Sequence, residues 1–143
     1  MKAQQVPVTE RTLVWRSYEC FNRRDPEAVK PLYTRDCRWS LRHFFGWPED
    51  QEYRGHDGLV RLFDDFLSAW GEFEIVPLAL WHLGHDRWFI HCQMTATGVS
   101  SGVPLQIEFW QSGTVVGGRI DSVEQYTDRD EALAAAGLEP GDL

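Results

Sequence analysis

Few residues of this chain combine useful chemistry with a spacing that lets them act together. In WFIHCQMTATG (88–98), His91, Gln93 and Thr95 alternate with Ile90, Cys92 and Met94. A strand sends alternate side chains to opposite faces, so the polar trio forms one surface. Histidine is the side chain suited to take or give a proton near neutral pH, which makes His91 a candidate acid or base. Gln93, and Gln125 in RIDSVEQY, can orient a carbonyl or hold an oxygen that gains charge. Asp121 in the same segment is a candidate carboxylate base, its alternative being a solvated acid beside Arg119. His91 likewise reads either as a proton carrier in a pocket or as a histidine on an exposed sheet face or dimer interface.

Other candidates are weaker. Trp39 offers an apolar wall and one N–H donor. The Tyr18 hydroxyl can enter a pocket, or the ring can simply pack. His56 in GHDG reaches a pocket mouth or helps cap a helix. The HLGH stretch (82–85), followed by His91, invites a metal reading, but no carboxylate or cysteine completes a recognisable ligand set. No metal and no other cofactor is expected.

The candidates must be positioned by a chain of 143 residues, the length of one domain over 1–143. Twenty-two acids against 14 bases give a net charge of −8, which speaks against nucleic acid or an anionic membrane as partner. No apolar run approaches the roughly 20 residues of a membrane span, and MKAQQVPVTE lacks the apolar core of a secretory signal. Cys20, Cys37 and Cys92 are widely spaced among apolar residues, which predicts free buried thiols in a reducing cytoplasm. Seven Trp and eight Phe suit either a bulky core or a large apolar cavity.

Periodicity gives the elements. Thr9 is placed to cap a first helix whose stripe is Leu13, Val14, Ser17, Tyr18 and Phe21. Asp25-Pro26 reads as N-cap and first position of a short second helix burying Val29, Leu32 and Tyr33. CRWSL (37–41) alternates as a strand with Cys37, Trp39 and Leu41 on one face. Residues 43–54 read as an irregular loop with exposed aromatics, Phe44, Phe45 and Trp47 being candidates for a lid or an intersubunit contact. A third helix spans about 59–70, with Gly71 as its stop. Strands are expected over 73–82, 88–97, 103–116 and 119–126, with Gly117-Gly118 turning the last hairpin. A short helix capped by Asp128 or Thr127 closes the chain. Helices first and an antiparallel meander afterwards imply an α+β fold in which helices cover one concave sheet face.

The stretches YECFNRRDPEAVKPLYTRDCRW, YRGHDGLVRLFDDF and WQSGTVVGGRIDSVEQYTDRDEALAAAGL, in that order and spacing, resemble the SnoaL-like branch of the nuclear transport factor 2-like superfamily. The resemblance runs from about residue 9 to 138. It implies a cone-shaped α+β fold enclosing a pocket. It also implies a polyketide cyclase, isomerase, epoxide hydrolase or dehydratase type of activity, or none. The family's acids are largely replaced here. The steroid isomerase base falls on Leu41, its oxyanion tyrosine on Ser17 and its second acid near Trp110. The epoxide hydrolase tyrosine and asparagine fall on Trp39 and Leu41. The last-strand aspartate of the hydrolase falls on Gln125, and so does that of the cyclase.

By the same alignment Gln125 faces the pocket, which sends Val123 and Asp121 inward and Ile120 outward. The hydrolase's arginine and acid fall on or next to His91 and Gln93. A slip of one residue would put Ile90, Cys92 and Met94 inside instead. The resemblance thus implies two alternatives. One is a cofactor-independent enzyme acting on a small apolar carbonyl compound, with His91 and Asp121 catalytic. In it Gln93, Gln125, Trp39, Tyr18, Val123, Trp110 and His56 form the substrate site. The other is a non-catalytic binding protein or dimerising scaffold. A homodimer through the sheet face is expected in either case.

Overall fold

The computed structural model describes residues 3–9, 12–44, 47, 52–99 and 101–143. Phe45, one of the expected loop aromatics, lies outside them. The order of elements is β1 (Gln4–Val6), α1 (Leu13–Asn22), α2 (Pro26–Val29), β2 (Tyr33–His43), β3 (Glu52–Arg54), α3 (Gly55–Ala69), β4 (Trp70–Gly84), β5 (Arg87–Gly98), β6 (Pro104–Val116), β7 (Arg119–Tyr126) and α4 (Arg129–Ala135). The strands form one curved sheet of seven in the order β1-β4-β5-β6-β7-β2-β3. Every pairing is antiparallel except β2 with β7. This is the α+β cone, with α1 and α3 on the concave face.

The helices form for local reasons. The buried stripe of α1 is Val14, Ser17, Tyr18 and Phe21, as its spacing predicts. Its start differs from the expectation. Thr12 rather than Thr9 is the flanking residue, and the Thr9 amide donates to the Thr12 hydroxyl at 3.0 Å. Asp25 caps α2 by accepting from the Ala28 amide at 3.1 Å, with Pro26 at the first position. The third helix begins at Gly55, four residues earlier than the apolar pattern suggests, and passes straight into β4 at Trp70. At the end of α1, Asn22 pairs with the backbone of Ile75, donating to its carbonyl at 3.0 Å and accepting from its amide at 2.8 Å. That pairing ties α1 to the sheet beside the cavity.

The two sheet faces carry separate cores. On the concave side Tyr18, Phe21, Trp39, Leu41, Phe63, Phe66, Cys92, Met94, Phe109 and Val123 belong to one buried cluster. On the convex side α4 lays Ala132, Leu133 and Ala136 over Trp81, Leu83, Phe89 and Tyr126. Asp128 caps α4 by accepting from the Glu131 amide at 2.9 Å. The His43 ring stacks on Tyr126 at 4.9 Å and meets Glu131 at 2.8 Å, which ties α4 to the sheet. No helix among the described residues is long and apolar enough to cross a membrane.

Register corrects three expected pocket residues. Cys92 pairs with Phe109 and His91 with Trp110, and directly opposed residues share a face. Cys92, Phe109, Ile90 and Met94 are buried on the concave side, so His91, Gln93 and Trp110 are on the convex side. The pleat allows one of the two rows inside, and the apolar row has the larger burial free energy. A second correction concerns Asp121. The β6–β7 ladder is irregular between Thr114 and Val115, just opposite Ile120. The extra residue breaks strict alternation. Ile120 therefore packs in the inner core at 1% exposure, and Asp121 accepts from the Thr34 hydroxyl at 2.7 Å. The segment expected to be an irregular loop contains a strand: β3 closes the sheet edge against β2, and Phe44 is buried.

Candidate functional site

The cavity lies between the concave face and the two long helices. From α1 come Tyr18 and Phe21, and from α3 come Leu62 and Phe66. Trp39 and Leu41 of β2, Ile75 of β4 and Met94 of β5 form the apolar floor. Phe109 and Gln111 of β6 and Gln125 of β7 complete it, with Phe44 and Trp47 closing one side. The Trp47 indole stacks on Phe66 at 6.1 Å and donates to the Tyr53 hydroxyl at 3.2 Å. Tyr53 in turn donates to Asp65 Oδ2 at 2.6 Å.

The space inside is tight. Its volume is ≈ 20 Å³ for the centre of a water-sized sphere, and one water needs about 10–15 Å³ on that measure. The gap between wall atoms, open mouth included, is ≈ 390 Å³. A ligand of ten or so heavy atoms therefore seats only as wall side chains shift.

Polar atoms in this apolar setting are joined in a relay. The Tyr18 hydroxyl donates to Gln111 Oε1, and Gln111 Nε2 donates to Gln125 Oε1 at 2.6 Å. All three are buried, Gln111 at 1% exposure. Buried amides need such partners, since an unpaired one costs about 1–3 kcal/mol. Cys92 belongs to the same buried cluster as Tyr18. Burial pushes the Cys92 thiol up to about 12 and lifts Tyr18 well above the ordinary tyrosine value. Both groups are neutral at physiological pH. The Trp39 N–H is buried without a hydrogen-bond partner.

Of the residues expected to form a site, Tyr18, Trp39 and Gln125 meet at this cavity. Val123 faces the same side but lies in the core beneath the lining. His56, at the start of α3, contacts the Tyr33 carbonyl at 3.3 Å rather than the cavity. Asp121 is held by Thr34, and His91 stacks on Trp110 at 4.9 Å with its Nε2 3.2 Å from Glu108. Gln111 was not singled out by sequence. Its signal was present: a lone amide in the apolar half of an alternating strand, across the Gly117-Gly118 hairpin from Gln125. No cluster of His, Cys, Asp or Glu that could hold a metal occurs among the described residues.

A helix-covered cone with an apolar cavity and a neutral polar relay defines a small-molecule pocket protein. The model of the SnoaL-like domain matches residues 14–123, and the chain belongs to that family. A comparison with curated proteins gives no match. Among solved structures, TerC co-crystallised with polyporic acid has a TM-score of 0.72 and 21% identity, covering 88% of this chain and 94% of that one. A nuclear transport factor 2-like protein from Burkholderia pseudomallei K96243 has a TM-score of 0.71 and 23% identity, covering 85% and 92%. SalBIII, an epoxide hydrolase/cyclase-like enzyme of pyran ring formation in salinomycin, has a TM-score of 0.65 and 15% identity, covering 82% and 89%. At these identities the likeness carries the fold.

Proposed function

We propose that the chain binds a small, largely apolar carbonyl compound in the cavity between α1, α3 and the sheet. The observation that carries this reading is the combination of aromatic walls with one buried relay, Tyr18–Gln111–Gln125. Apolar walls supply affinity by burial, and the few polar atoms fix orientation. TerC, which shares the fold, is co-crystallised with a small molecule, polyporic acid. The test is binding of the neutral bicyclic ketone 1-tetralone, followed by calorimetry and by the indole N–H resonances of Trp39 and Trp47. Saturable binding at one site is expected, and Leu62→Trp, which fills the cavity, should abolish it in a folded protein. Binding unaffected by Leu62→Trp would place the ligand elsewhere and overturn the reading.

A second reading is turnover: cofactor-independent cyclisation, isomerisation or dehydration of such a carbonyl compound. The cyclase-like relative SalBIII favours it, as does an unpartnered donor, the Trp39 N–H, at a water-poor cavity. In this reading the cavity polarises the carbonyl by hydrogen bonding, and His91 has no part in it. Incubation with a β-hydroxy ketone, monitored by enone absorbance as water is lost, distinguishes turnover from binding alone. We further propose a homodimer formed back to back through the open part of the convex sheet face.

A further inference from the structure

We propose that the cavity selects a neutral ligand through one hydrogen-bond-accepting oxygen, received by Trp39 and Gln125, and that Tyr18 and Gln111 are positioning residues that hold Gln125 as a donor. The proposal rests on the binding reading above and adds the polarity of the ligand to it.

The argument follows the protons. Tyr18 has a single hydroxyl proton, and it goes to Gln111 Oε1. That fixes the Gln111 amide with its Nε2 toward Gln125, where it donates to Oε1 at 2.6 Å. The carbonyl of Gln125 thereby accepts one hydrogen bond and is turned toward Gln111, and its Nε2 makes no hydrogen bond among the described residues. The second donor is the Trp39 N–H, buried and unpartnered in a side chain only 4% exposed. Trp39 pairs with Val123 across β2 and β7, and Gln125 is one pleat further along the same face. Both side chains line the same cavity, and the proposed ligand oxygen sits between their donors.

The site therefore offers two donors, relay carbonyls that each already accept one hydrogen bond, and no charged side chain among its described lining residues. A ketone oxygen satisfies both donors. An alcohol does so too, but its own proton finds only relay carbonyls that are already engaged. A carboxylate loses its hydration without gaining a cation. The direction is set at the far end of the relay. Without the Tyr18 proton, Gln111 can turn over and present Oε1 to Gln125, which then turns its own carbonyl to the ligand.

Calorimetry at neutral pH with 1-tetralone, 1-tetralol, tetralin and the anion 1,2,3,4-tetrahydro-1-naphthoate tests this. Tetralone should bind about tenfold more tightly than tetralol or tetralin, the anion not measurably. Gln125→Leu and Trp39→Phe should each bring tetralone to the level of tetralin and leave tetralin unchanged. Because Trp39 also packs on Phe21 and Tyr33, Gln125→Leu carries the test if Trp39→Phe does not fold. Tyr18→Phe should narrow the tetralone-to-tetralol ratio to about twofold with tetralin binding intact, an outcome that mere loss of packing would not give. Tetralol or the anion binding as tightly as tetralone overturns the polarity. An unchanged ratio in Tyr18→Phe overturns the positioning role. If tetralin binds and tetralone is no tighter, the polarity proposal alone falls. If neither binds, the binding reading falls and takes this proposal with it.

Discussion

The least expected residue is His91, which by type alone promised chemistry. Its ring is stacked on Trp110 with an interplanar angle of 4°, and its Nε2 meets Glu108 on the convex face. This is a packing role, worth about 1 kcal/mol for the aromatic contact. His91→Ala should lower stability by about that amount in a urea titration and leave tetralone affinity within about twofold. A tenfold loss of affinity would reinstate His91 at the ligand. Cys92 makes the opposite case, a reactive type silenced by burial. Its folded value of about 12 is above the ordinary thiol value of 9.0. Below pH 9 the thiol is protonated in both states and its stabilising contribution is complete. As pH rises toward 12 the unfolded thiol ionises while the folded one does not, and stability falls by about 1.4 kcal/mol per unit from this group. Cys92→Ala should flatten that alkaline decline in denaturation midpoints measured between pH 9 and 11. An identical slope would contradict the burial argument.

At the scale of elements, legibility followed periodicity. The strands at 88–97 and 119–126, the Asp25-Pro26 start and the Asp128 cap could be read because alternation and capping are local properties. The faces of β5 could not, since both rows alternate equally well and only the partners across the sheet decide which is buried. Tyr18, Trp39 and Gln125 were legible because the helix stripe, the strand alternation and the family register all pointed inward. The displaced Asp121 depends on the pairing of β7 with β6 and β2, which no local pattern encodes, whereas Gln111 was readable as the lone amide in the apolar row of β6. β1 and β3 went unseen because three-residue edge strands have too few residues to show a period. Close approach of neighbouring atoms explains Gly113 on β6. A Cβ there would fall 2.1 Å from the Ser122 carbonyl oxygen and 2.4 Å from the Trp88 ring. Since backbone on one side and a buried indole on the other cannot both yield, Gly113→Ala should cost about 3 kcal/mol, the upper range for overpacking. Chemical denaturation measures it, and a change below about 1 kcal/mol would show that the β6–β7 ladder gives way.

For the whole molecule, the convex face decides how copies can meet. One part is covered by α4, whose Ala132, Leu133 and Ala136 bury Trp81, Leu83, Phe89 and Tyr126. A partner sheet cannot reach that part without displacing α4. The rest is open: Val76 pairs with Gln93, and Gln93 with Glu108, in one outward row. Val76 is 42% exposed, an apolar side chain within a polar surround. A back-to-back homodimer must therefore be built on this row. Its two-fold axis sets the same patch against itself, so one substitution acts twice. A carboxylate at position 76 would face its own copy and Glu108, and like charges brought together at an interface cost several kcal/mol. Light scattering on size-exclusion fractions should find a dimer for the natural chain and a monomer for Val76→Asp. The cavity opens on the other side of the sheet, so tetralone affinity should be the same in both. A dimer that survives Val76→Asp would put the interface elsewhere, and a natural chain that runs as a monomer would leave the open row facing water.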